Sequence, residues 1–342
     1  MLEQIVDIHK PVQRLAWIDW MKTIGMWTII CYHMFAPVTA CHLSVVGVPL
    51  FFIMSGYLSK IEDDWTTFAR KIWRTLLIPY FLLCAIRFGI NLCFLQSAQT
   101  LHTFGTALGA WLLGFNKWHG VPGCNELWFV YVLIVIKIIY QLSQAKWLPV
   151  SVLALLAVAY SYLVPRYMVF SPDTYWGVLG LGLGLLFFLI GAVVRRWHRS
   201  ILPKERWWHL VLLSLVSGVL FWKCGDWNGY TGIGIGWYGN RISLCVLGGV
   251  CGTLFVYGIS RGLEALFAWF GIKNIAYVQW HSIGSIVVLA WHIPLLWLMQ
   301  RIPWNFNIEW KACLYALTIQ LLFTPLLWLV IRYCPRLLGR KL

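Results

Sequence analysis

Charged side chains are scarce in this sequence and acids scarcer still: only 11% of its 342 residues are Asp, Glu, Lys or Arg, and just 12 are acidic. A soluble domain of ordinary usage carries about a quarter charged residues. With 60% hydrophobic residues, this chain has too little polar surface to face water on all sides. Also missing is the two-residue alternation of apolar and polar positions that a transmembrane barrel requires; the apolar runs are continuous Leu, Ile, Val, Phe and Trp. In hydrocarbon, each backbone N–H and C=O of such a run must be satisfied within its own segment, which selects helices. The expected fold class is therefore an all-α integral membrane protein.

Other absences narrow the reading. The ten cysteines include no CxxC pair and no Cys/His spacing suited to zinc. Most sit inside apolar runs as small core residues; Cys41, Cys124 and Cys224 fall on segments assigned below to the outer side, where a disulfide is an open option. Residues 1–13 are polar and lack an isolated apolar stretch with a small-residue cleavage site, so the first apolar run is expected to be a retained span rather than a signal peptide. No fixed-period repeat, Pro-rich linker or long soluble insertion interrupts the chain, which points to one membrane domain over residues 1–342.

About 20 apolar residues cross roughly 30 Å of hydrocarbon. Runs of about that length place ten spans near residues 15–36, 44–59, 74–96, 126–143, 147–164, 177–194, 207–222, 242–260, 280–300 and 311–331. The shorter run from Leu101 to Phe115 reads as a re-entrant or interfacial piece. With both termini cytoplasmic, eighteen basic residues fall on inner segments and six on outer ones, with Lys22, Arg87 and Lys137 inside spans, accounting for all 27. That bias fits the positive-inside rule. It also explains the net charge of +15 without nucleic acid, which is not expected as a partner.

Ionisable groups inside spans are costly and mark function by default. The first span reads Asp19-Trp-Met-Lys22 and continues to Cys31-Tyr32-His33. Eleven helical steps separate Lys22 from His33, which returns them to within roughly 20° of one face and about 16 Å apart along the axis. One stands toward the cytoplasm and one in the outer half. A plainer reading also fits: Lys22 snorkels inward and His33 bonds a neighbouring helix. Asp19, one turn before Lys22, is placed to pair with it under either reading.

Beyond this span, the chain resembles the membrane acyltransferase-3 family of O-acyltransferases. The likeness rests on Lys22 followed by ten residues and His33. It continues through Val48-Pro49-Leu50-Phe51-Phe52-Ile53-Met54-Ser55-Gly56-Tyr57-Leu58, Arg74 with Pro79-Tyr80, Leu127-Trp128-Phe129, and Ser285 followed by His292 and Pro294-Leu295. Lys22 stands where arginine is commoner, which keeps the charge and loses the bidentate fork; Leu289 stands where tyrosine is frequent.

What the resemblance implies is a multi-pass protein of a bacterial inner membrane that moves an acyl group, acetyl above all, from cytosolic acyl-coenzyme A to a hydroxyl of a surface glycan or its lipid-linked precursor. Acetyl-coenzyme A or another acyl-coenzyme A is then the donor substrate, with no tightly bound cofactor. His33 would take the acceptor's proton or carry the acyl group itself, since an imidazole titrates near neutrality; His292 joins it as a second active-site residue. Lys22 and Asp19 belong to the donor site. Arg70 and Arg74, with Lys71, form an inner cluster suited to phosphates, although topology alone also accounts for such a cluster. Glu126 either orients the acceptor or faces water. Trp227 and Trp237, in the glycine-rich outer segment Lys223–Arg241, offer aromatic faces to a sugar ring; an interfacial aromatic belt looks the same in sequence. Ser55, Gly56 and Tyr57 form a structural motif. A polytopic transporter of a small solute or glycan precursor is the alternative, since spans with buried ionisable residues are equally ordinary there; it should show paired Gly/Pro-broken helices at matching positions in each half, and Ser55-Gly56 has no convincing counterpart in the second half. A membrane scaffold leaves the spacing of Lys22 and His33 as coincidence.

Overall fold

A computed structural model describes residues 15–94, 117–118, 121–122, 125–145, 148–167, 177–201, 206–272, 274–302 and 307–340. The helices are α1 (Ala16–Tyr32), α2 (Pro37–Leu58), α3 (Trp65–Ile72), α4 (Ile78–Phe94), α5 (Trp128–Ala145), α6 (Val150–Tyr167), α7 (Leu181–Ile201), α8 (Trp207–Asn228), α9 (Ile242–Trp269), α10 (Ala276–Ile283), α11 (Ser285–Met299) and α12 (Ile308–Tyr333). A two-residue pairing of Lys117–Trp118 with Val121–Pro122 is the only sheet among the described residues. The expected all-helical membrane class holds.

Six of these helices are long and apolar enough to cross a membrane, or seven if α10 and α11, bent by 85° at their junction, form one crossing. Each of the ten apolar runs expected from the sequence overlaps a helix among the described residues, but the ten crossings do not follow from that, and α1 and α4 have only 17 residues each. The Leu101–Phe115 run lies outside the described residues, as does Cys124; Cys41 and Cys224 are both free.

Helix α1 is the hub, touching α2, α9, α10, α11 and α12. It stops short because the chain turns at once: Phe35 takes φ +52°, a left-handed value that a bulky residue adopts only when its surroundings enforce it, and Pro37 then starts α2 at a position where a missing N–H costs nothing. Helices α2 and α7 cross with backbones in contact. A Cβ at Gly56 would lie 1.9 Å from the Phe188 carbonyl oxygen, and one at Gly191 would lie 1.9 Å from that of Ile53. In a bilayer, where apolar side chains gain little by leaving lipid, such small-residue contacts hold helices together. Gly56 makes one of these contacts, and next to it Tyr57 lies edge-on to Trp17 at 5.6 Å.

Two breaks in helical regularity shape the interior. Between α3 and α4 the chain makes a π turn at Trp73–Leu77 just before Pro79, which has no N–H for the usual ladder. At the other break, Gly284 separates α10 from α11, and the polar side chains nearby are tied across helices. Gln320 donates to the Thr23 carbonyl at 2.9 Å, Tyr277 donates to Gln320 at 3.1 Å, and His281 Nε2 lies 3.1 Å from the Thr324 hydroxyl. Helix α3 is amphipathic: Asp64 caps it through the Thr67 N–H at 2.9 Å, Phe68 and Ile72 are buried, and Arg70 and Lys71 face outward. This pattern suits a helix lying along an interface.

Candidate active site

Because α1 is short and α10 bends away at Gly284, a cavity of about 1240 Å³ opens along α1. Its wall holds Asp19 and Lys22 at one end of α1 and His33 with His292 at the other, and also includes Ser55 and Ser285. The helical face shared by Lys22 and His33 is therefore the face that lines a common chamber.

At the far end, hydrogen bonds aim both imidazoles. His292, buried in α11, places Nδ1 2.8 Å from the Leu289 carbonyl and 3.2 Å from that of Val288, so this nitrogen carries a proton and donates. In the neutral ring Nε2 then holds a lone pair, and it faces His33 Nδ1 at 3.2 Å. His33 Nδ1 also lies 2.7 Å from the Ile29 carbonyl, an acceptor, so His33 must be protonated there. The remaining lone pair of neutral His33 is on Nε2. Two acceptors thus select the tautomer in which Nε2 can take a proton. The strained Phe35 packs edge-on to His33 at 6.4 Å and tilts against Tyr230 at 5.8 Å, closing this end.

Glu126 is also in the cavity wall, and it does not simply face water. Arg87 donates to its carboxylate at 3.1 Å and to the Ala290 carbonyl at 3.2 Å, and the guanidinium lies 5.6 Å from the centre of the Trp291 ring. Both side chains are largely buried, at 12% and 9% exposure. Arg87 thus joins the turn that starts α5 to the helix that carries His292. The sequence reading placed Arg87 inside a span without assigning it a role; the rule that a charge within a span marks function would have singled it out.

Other expected residues stand elsewhere. Arg70 is exposed on α3, and Arg74 sits in the π turn, whose neighbours Thr75 and Leu76 line the cavity. Trp227 and Trp237 are exposed at 61% and 59% and are not among the lining residues. The same Lys223–Arg241 segment instead contributes Tyr230 and residues Thr231 to Ile235, with a bridge between Gly232 and Trp237 closing the turn. The segment singled out by composition lines the cavity through Tyr230 and not through Trp227 or Trp237. Tryptophans seek the interface, and only the backbone path shows which ring turns inward.

Neither the curated proteins nor the solved structures include a match to this chain. A family model described as an acyltransferase domain does match, over residues 15–332, which takes in His33, His292, Lys22, Arg87 and Glu126. The chain belongs to the acyltransferase-3 family.

Proposed function

We propose that this membrane acyltransferase moves an acyl group, acetyl in the first instance, from cytosolic acyl-coenzyme A to a hydroxyl of a surface glycan or its lipid-linked precursor. The observation that carries this reading is the single chamber with Lys22 at one end and the paired His33 and His292 at the other. Coenzyme A thioesters are long, with phosphates at one end and the reactive carbonyl at the other. A donor extended along α1 would meet a cation and a base about 16 Å apart.

In the proposed step, the acceptor hydroxyl gives its proton to His33 Nε2 as its oxygen attacks the thioester carbonyl. A C–O bond forms and the C–S bond breaks; the proton then passes from His33 to the departing thiolate, releasing coenzyme A. His292 and the Ile29 carbonyl hold His33 in the competent tautomer. Arg87 fixes Glu126 in the wall, and in this reading its carboxylate receives an acceptor hydroxyl. An acyl-His33 intermediate would use the same lone pair.

In this reading the chain makes ten crossings with both termini in the cytoplasm, so Lys22 faces the compartment that supplies the donor, and its home is a bacterial inner membrane. A solute transporter built of inverted halves would be expected to have broken helices in both halves; among the described residues there is one helix pair broken in this way, at Gly284. The test is direct: purified protein in detergent is given acetyl-coenzyme A labelled in the acetyl group, with extracted envelope glycan as acceptor. Release of free coenzyme A together with base-labile label on glycan is expected. Tight binding of acetyl-coenzyme A with neither hydrolysis nor transfer would overturn the proposal.

A further inference from the structure

The left-handed backbone at Phe35 has its cause outside the residue itself, because a phenylalanine left to its own preferences avoids that conformation. The chain turns from α1 into α2 within residues 33–36, and the first turn of α12 holds both sides of this corner. On the α2 side, the Glu309 carboxylate accepts from the Val38 N–H at 2.8 Å through one oxygen and from the Thr39 N–H at 2.9 Å through the other. On the α1 side, the Cys31 thiol donates to the carbonyl of Ala312, about one turn along α12 from Glu309, at 3.6 Å. Asn307 caps α12 by accepting from the Glu309 N–H at 2.9 Å, so the backbone that carries the carboxylate is itself held. A further tie comes from α11, where the Gln300 amide donates to the Met34 sulfur at 3.3 Å.

These ties differ in strength. A thiol is a weak donor and a thioether a weak acceptor. The bonds to Glu309 are charge-assisted and lie at the positive end of the α2 dipole. They also complete the start of α2: Pro37 has no N–H, the Ala40 N–H already reaches the Ala36 carbonyl at 2.8 Å, and Val38 and Thr39 are the two donors between them. Glu309 is not among the residues that line the cavity, so it can act on the chemistry only through the corner. Without it the first turn of α2 frays and Phe35 relaxes toward an ordinary backbone, moving its ring from His33 and Tyr230, which it meets at 6.4 Å and 5.8 Å. Lys22, about 16 Å away along α1, is not part of this corner.

We propose that Glu309 is a positioning residue for turnover: by holding the start of α2, its carboxylate keeps the Phe35 ring against His33 and the base end of the chamber closed. This rests on the acyltransferase reading, and it adds a side chain outside the chamber that sets the geometry inside it.

The test compares wild-type, Glu309→Gln, Phe35→Gly and the double variant in detergent, with extracted envelope glycan as acceptor, reading turnover, KM for acetyl-coenzyme A and melting temperature. Glu309→Gln is expected to lower turnover about tenfold with the donor KM changed less than about twofold. Glu309→Asp, which keeps the charge on a shorter arm, is expected to fall in between, and it takes the place of Glu309→Gln in the cycle if that variant does not fold. In the Phe35→Gly background the Glu309 substitution should cost less than about twofold, since glycine adopts the left-handed backbone unaided and has no ring to hold. An equal loss in both backgrounds would mean that Glu309 does not act through Phe35, and normal turnover with a lowered melting temperature would make it a helix cap and nothing more; either result overturns the assignment and leaves the acyltransferase reading intact. A wild-type protein that neither hydrolyses acetyl-coenzyme A nor transfers its acetyl group would bring down both.

Discussion

The two ends of the cavity are built by opposite means. At the His33 end position is fixed: the ring is set by one carbonyl and one imidazole, and its partner His292 by two further carbonyls. At the Lys22 end the cation sits on a long, half-buried side chain. Proton transfer and bond exchange require placement within a fraction of an ångström. Collecting a polyphosphate requires charge in the right region, which flexible side chains supply. Substitutions at the first end should therefore act on turnover, and those at the second on donor affinity.

The largest expected effect is at His33. His33→Gln keeps a polar side chain of similar size without a base, and should lower acyl transfer by about 100-fold or more while the protein still inserts and melts normally. Donor hydrolysis and melting temperature read on one preparation decide this; near-normal specific activity would erase the contrast between the ends. His292→Gln should cost less, since it disturbs the aim of the base and leaves the base itself.

Next comes the buried pair beside His292. Glu126→Gln leaves Arg87 buried without its counter-charge, and breaking such a pair costs about 3 kcal/mol. The double variant Arg87→Met with Glu126→Gln should regain much of that stability but not the activity. Recovery of both would make the pair a structural device only.

A smaller change is expected from Lys22→Ala: the apparent KM for acetyl-coenzyme A should rise about tenfold with turnover little changed, and Lys22→Arg should restore affinity. A loss of turnover at saturating donor would mean that this end also positions the chemistry. Smallest of all, Trp227→Ala and Trp237→Ala should change transfer less than about twofold, because both rings lie outside the cavity and substitutions away from such sites have small effects. Tyr230→Ala, in the wall against Phe35, should exceed either one when the same glycan is titrated.

How much of this was legible beforehand depended on the kind of signal. The helical membrane class followed from scarce charge and long apolar runs, because hydrocarbon leaves the backbone no other choice. The shared face of Lys22 and His33 followed from helical pitch. Glu126 was named, but its partner was not: Arg87 lies 39 positions away, and no local spacing rule pairs residues at that distance. The pairing of His33 with His292 spans 259 positions. The resemblance to a family had placed both histidines in one site, but not which nitrogen each presents.

What the sequence by itself determined, then, was whatever depends on solvent and pitch: a helical membrane protein with a cation and a base on one face of its first helix. Only the tertiary structure decided which loop aromatic enters the wall and which nitrogen of His33 keeps its lone pair. Those outcomes depend on backbone turns at Phe35 and Gly284 that bring distant segments together. Periodicity does not encode such turns, because each is set by what packs against it.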